Sequence, residues 1–202
     1  MKNIFYTITI FVLSCIFSIP YSVAGLYQSE LKIAPVKVYE SILENYAHKN
    51  YTEIETALAY VEPVIETIKT KLGIDLKPEI QSALKAKNPQ LYTVILRFIF
   101  CDIRVIFTSI AEEGKKQSPN NLKLWFKMAY ANYLLLSPVV LKDEKRFTSD
   151  REIKKMFREA YICLGSESPY GGKTAPDLEL FKKRSDKIIE NIVKVFPEFL
   201  NP

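Results

Sequence analysis

The segment between Pro89 and Gly114 restricts the fold more than any other. Leu91, Val94, Ile95, Phe98, Ile99, Ile103, Val105, Ile106, Phe107 and Ile110 all fall within it. At about 100° per residue these side chains cover most of a helix circumference. A helix that is apolar nearly all round belongs inside its domain, with other elements packed on every side. A membrane span is excluded because Arg97, Asp102 and Arg104 interrupt the run. The chain is therefore expected to be all-α, built around this helix.

The flanking sequence repeats the helical period. Pro35 suits a first turn, and Val38, Ile42, Leu43 and Tyr46 recur at helical spacing to about Lys49. Thr52 and Glu55 match a capping box, opening a helix that Gly73 ends and that Pro63 should kink or break. A short helix is expected from Pro78 to about Lys87, and Asn88-Pro89 forms a cap and first turn for the central helix. The next helix should run from 119 to 136, stopped by Ser137-Pro138, with 142–146 a loop or fraying turn. Ser149 with Glu152 gives a second capping box, Phe147 or Thr148 could staple onto Ile153, and Gly165 is a natural C-terminal cap. A last helix begins at Pro176 and halts at Pro197. No stretch alternates with turn residues, and the helix-pair rhythm does not recur at a fixed period. The expectation is an irregular antiparallel helical bundle of about six or seven helices around a buried central helix, with residues 25–202 as a single helical domain. The 6 Gly among 202 residues agree, since sandwiches and Rossmann-like folds need many glycine turns.

The N-terminus carries a targeting signature. Lys2 precedes an apolar run from Ile4 to Ile19, and Ser22 and Ala24 place small residues at −3 and −1. This pattern reads as a secretory signal over 1–24, cut after Ala24, which would put the protein in the periplasm or outside the cell. The run is shorter than the ~20 residues that span a bilayer, so no stable span is expected after cleavage. Val12-Leu13-Ser14-Cys15 resembles a bacterial lipobox, which would make the protein a lipoprotein anchored through Cys15, although apolar residues continue past that cysteine. Cleavage removes Lys2 and no acid, lowering the net charge from +5 to +4. That mild, dispersed excess does not point to nucleic acid. It also leaves Cys101 and Cys163, for which an oxidising compartment permits a disulfide; the alternative is two buried thiols on two helices.

Catalytic chemistry finds little material. His48 is the only histidine, which excludes bis-histidine haem and most zinc sites within one chain. Glu40, Glu44, Glu53, Glu55, Glu62 and Glu66 crowd the early helices without the Glu-x-x-His pair of di-iron bundles. No metal and no cofactor is expected. Gly171-Gly172-Lys173-Thr174 imitates the end of a phosphate loop, but Glu167 stands where the first glycine is needed and a helix precedes it. No G-x-S-x-G elbow occurs.

One position on the central helix stands out. Arg97, Arg104, Thr108 and Glu112 gather on a polar stripe, whereas Asp102 points about 140° from Arg97, between Ile95, Phe98 and Ile106. A carboxylate on an apolar face must find partners or take up a proton. The following helix offers Asn132, near Trp125, and also Tyr130, Tyr133 and Lys127. A buried polar cluster around Asp102 is expected, either fixing helix register or holding a ligand. Arg151, Lys154, Lys155 and Arg158, with Lys182, Lys183 and Arg184, form basic faces able to meet an anionic protein or a lipid headgroup. The leading expectation is an exported, non-catalytic helical protein acting through contacts with another protein, as an accessory or scaffolding subunit. The alternative is a bundle binding an apolar or aromatic small molecule beside Asp102, Trp125, Tyr130 and Asn132. An enzyme would have to use Asp102 or an early-helix carboxylate.

Overall fold

The computed structural model describes residues 35–141, 147–167 and 172–200. The expected signal over 1–24, Cys15 and the turn at 142–146 lie outside them, as do the side chains of Phe147 and Thr148. Among the described residues eight α-helices follow one another: α1 (Pro35–Ala47), α2 (Tyr51–Tyr60), α3 (Glu62–Leu72), α4 (Lys77–Ala86), α5 (Gln90–Glu113), α6 (Pro119–Leu141), α7 (Phe147–Ile162) and α8 (Leu178–Val195). Short 3-10 turns at Gly114–Lys116 and Pro197–Phe199 follow α5 and α8. None of the described helices is long and apolar enough to cross a membrane.

Local chemistry explains most boundaries. Pro63 occupies the first turn of α3, where its missing N–H costs nothing, and the break falls just before it at Val61. Asn88 accepts the Gln90 N–H through its side chain at 3.1 Å, one residue before Pro89, the N-cap of α5. Asp177 does the same for Leu180 N–H at 2.9 Å, opening α8 two residues after Pro176. Gly165 takes φ +72° just past α7, and a Cβ there would lie 2.3 Å from the Thr174 carbonyl oxygen, so the position demands glycine.

Several expectations need correction. Thr52 and Glu55 lie inside α2, whose N-cap is Asn50, and Ser149 lies inside α7, so neither capping box forms. α6 does not stop at Ser137 but continues through Pro138 to Leu141. Pro138 and Leu134, whose carbonyl loses its helical partner, are both solvent-exposed, while Leu136 and Val140 keep the opposite face buried. Core packing there outweighs one hydrogen bond. A minimal antiparallel ribbon, Ser166–Glu167 with Lys173–Thr174, was not foreseen. It is too short to show any period.

α5 is buried along most of its length and touches α1, α3, α4, α6 and α8. The helices from α5 onward are more regular than expected. Asp102 and Phe107 of α5 meet Asn132 and Phe126 of α6, so the two run antiparallel. Phe126 and Tyr133 of α6 meet Tyr161 and Asp150 of α7. Met156 and Glu159 of α7 meet Asn191 and Arg184 of α8. Phe107 meets Phe181, and Phe100 meets Phe199 beyond α8, which returns α8 to α5. α5–α8 thus close an up-down-up-down four-helix bundle. Each helix sends one phenylalanine to its centre: Phe107, Phe126, Phe157 and Phe181, with ring centroids 5.6–6.0 Å apart. The irregular part is confined to α1–α4, of which α1, α3 and α4 pack against α5.

Candidate functional site

Asp102 is fully buried, as its place on α5 requires. Its Oδ2 accepts from the Asn132 amide of α6 at 2.8 Å and from the Tyr39 hydroxyl of α1 at 2.9 Å. Three helices are therefore tied to one carboxylate oxygen. The Asn132 Oδ1 is buried without a donor among the described residues. Trp125 and Phe98 are sealed in the core, and Tyr39 meets Phe98 edge-on at 5.1 Å. Tyr130 does not join this cluster. It turns toward α7, its ring 5.2 Å from Phe157. Of the four residues nominated from sequence, the fold brings Asp102 and Asn132 together, buries Trp125 in the same core and sends Tyr130 elsewhere.

A second buried carboxylate escaped sequence reading. Asp150, near the start of α7, accepts from Tyr133 and Ser137 through Oδ1, each at 2.7 Å, and pairs through Oδ2 with Lys154 at 2.9 Å. Burial raises its pKa, but the hydrogen bonds from Lys154, Tyr133 and Ser137 outweigh this and hold it below the usual carboxylate value. Burial and the neighbouring carboxylate push the Tyr133 hydroxyl far upward, so it stays protonated and donates. The signal lay in spacing: Tyr133 and Ser137 are four apart on α6, as are Asp150 and Lys154 on α7, so each pair shares a helix face. Tyr39 was legible in the same way, as a phenol on the apolar row of α1 that must find an acceptor once buried.

Arg97 departs from the expected polar stripe. It is buried, its Nη1 bonding Glu79 Oε2 at 2.7 Å and its Nε donating to the Phe199 carbonyl at 3.2 Å. It thus clasps α4 and the C-terminal turn onto α5. Arg104, Thr108 and Glu112 do stay on the surface side, lining a groove of about 360 Å³ between α5 and α8. Further grooves of about 580 Å³ and 450 Å³ lie between α7 and α8 and between α4 and α5. None of these three is lined by Asp102, Trp125, Tyr130 or Asn132.

Cys101 and Cys163 are both free and buried, so the disulfide that export would permit is not formed. Burial raises both thiols, Cys101 to about 11. Among the described residues no three His, Cys, Asp or Glu side chains gather to hold a metal ion. Asp102, Asn132 and Asp150 cross-link helices and line none of the three grooves, whereas Arg97 borders the groove between α4 and α5 and Ser185 the one between α5 and α8. No family model matches this chain, and no curated protein or solved structure matches it.

Proposed function

We propose that this is an exported, non-catalytic helical protein that works through protein–protein contacts as an accessory or scaffolding subunit. One observation carries the reading: the buried carboxylates Asp102 and Asp150 are engaged by internal donors, whereas the surface holds large apolar side chains beside charged ones. A catalytic acid needs access to substrate and a pKa near the working pH. Asp102 has no exposure, and Asp150 is held low, in the ionised form. Export rests on the sequence pattern at 1–24.

The test is purification of the protein from its native host, with mass spectrometry of what co-elutes and N-terminal sequencing of the mature chain. A stoichiometric protein partner and a start at Gly25 are the expected results. A stoichiometric small molecule, or a retained N-terminus, overturns the corresponding half of the proposal.

A further inference from the structure

Two separate faces of the chain carry opposite chemistry. The groove between α7 and α8 is lined by four cations, Lys155, Lys183, Arg184 and Lys187, and by two acids, Glu152 and Glu159, of which Glu159 is paired to Arg184. Lys183 and Lys187 enter no ion pair among the described residues. The α7 row through Lys155 and Glu159 continues at helical spacing to Ile162, which is 76% exposed. Leu180, at the facing end of α8, is 39% exposed. A cationic groove ending in bare aliphatic side chains is a poor solution for solvent alone.

The opposite chemistry sits on α2 and α3. From Asn50 to Ile68 the chain holds Glu53, Glu55, Glu62 and Glu66 and no Lys or Arg. Glu62 is taken by Lys77, while Glu53, Glu55 and Glu66 are exposed. Tyr60 lies seven residues after Glu53, on the same helix face, and is 52% exposed. α2 packs chiefly on α1 and α3, whereas α7 packs chiefly on α6 and α8, so these are distinct patches.

We propose that the chain associates head-to-tail with a second copy, the lysine groove of the α7–α8 hairpin receiving the Glu53–Tyr60 face of α2. This rests on the protein-contact reading above and names its partner. The match is twofold, the unpaired lysines against Glu53 and Ile162 with Leu180 against the amphipathic ring of Tyr60. A flat anionic lipid surface fits less well, because the site is concave and places Glu159 among its own lysines. Since the two patches differ, each copy keeps one of each kind free, and the contact propagates into a ring or an open row. That is the geometry of a scaffold. Contacts led by exposed charges are weak and screened by salt.

The experiment is sedimentation equilibrium of the protein as recovered from the expressing cell, over roughly a hundredfold concentration range. It is run at about 20 mM and about 0.5 M salt, where the Debye length is ~20 Å and ~4 Å. The mass should rise with concentration at low salt and fall to that of the monomer at high salt. K183E/K187E and E53K, each checked by circular dichroism, should weaken association at least about tenfold. An equal mixture of the two variants should restore it, because each keeps the face that the other has lost. A wild type that stays monomeric at low salt overturns self-association while leaving the accessory-subunit reading to its own co-purification test. A mixture no tighter than either variant alone, or a monomer that instead binds anionic vesicles, also overturns it.

Discussion

Asn132 and Tyr133 are consecutive on α6, yet each donates to a different buried carboxylate, Asn132 to Asp102 on α5 and Tyr133 to Asp150 on α7. The 100° step between neighbouring helical residues aims them at different sides of the same helix. α6 is thereby fixed in rotation and register between its two partners.

Replacing Asp102 tests the first of these ties. Asp102→Ala removes the acceptor that the Tyr39 hydroxyl and the Asn132 amide share, at about 1–3 kcal/mol for each buried donor. Urea unfolding should show a loss of roughly 2–5 kcal/mol, with Asp102→Asn milder because its carbonyl oxygen can still accept. An unchanged melting temperature would rule out the cluster as a structural element.

The second tie makes stability depend on pH at both ends. The Asp150 pKa is depressed in the fold, so its contribution is complete above the unfolded value of ~4 and is lost as pH falls through the lower folded value. The Tyr133 pKa is raised, so the folded protein keeps that proton, and stability declines as pH rises beyond the unfolded value of ~10. Chemical denaturation across pH should trace both losses. Asp150→Asn should flatten the acid limb and Tyr133→Phe the alkaline limb.

Phe157 lies within 6 Å of Phe107, Phe126, Tyr130 and Tyr133 by ring centroid. Phe157→Ala should therefore cost about 3–5 kcal/mol. Phe157→Leu, which refills much of the volume, should recover a good part of it. Equal midpoints for wild type and the alanine variant would show that the four-helix centre is not formed in solution.

Both thiols should be silent in the native state. With Cys101 raised to about 11 and Cys163 also raised and buried, a thiol-reactive dye at about pH 8 should label neither until denaturant is added. Two equivalents should then react in the chain that starts at Gly25, which lacks Cys15. Protection that survives unfolding and disappears with a reductant would reveal a disulfide instead.

Arg97 offers a local test of the C-terminal turn. Arg97→Ala removes the donor to the Phe199 carbonyl and the partner of Glu79. Phe199, which stacks on Phe196 at 4.6 Å, should lose hydrogen-exchange protection before the bundle does. Uniform exchange across the chain would show that the clasp carries no separate stability.

Helix positions, the burial of α5 and the presence of a cluster at Asp102 were legible because period and burial are properties of single helices. Proline and glycine marked most ends for the same reason, through φ and the missing N–H. Pro138 misled because its cost of one hydrogen bond is local, whereas Leu136 and Val140 gain from a core that no window of sequence contains. Tyr39, Asp150 and the inward turn of Arg97 depended on partners 63, 17 and 102 residues away. Sequence by itself determined that the chain is helical, that one helix is central and that this helix carries a charge needing company. Only the tertiary structure decided which groups keep that company, that four phenylalanines close a regular bundle, and that the acidic and basic faces sit apart, because each of these is a distance between helices.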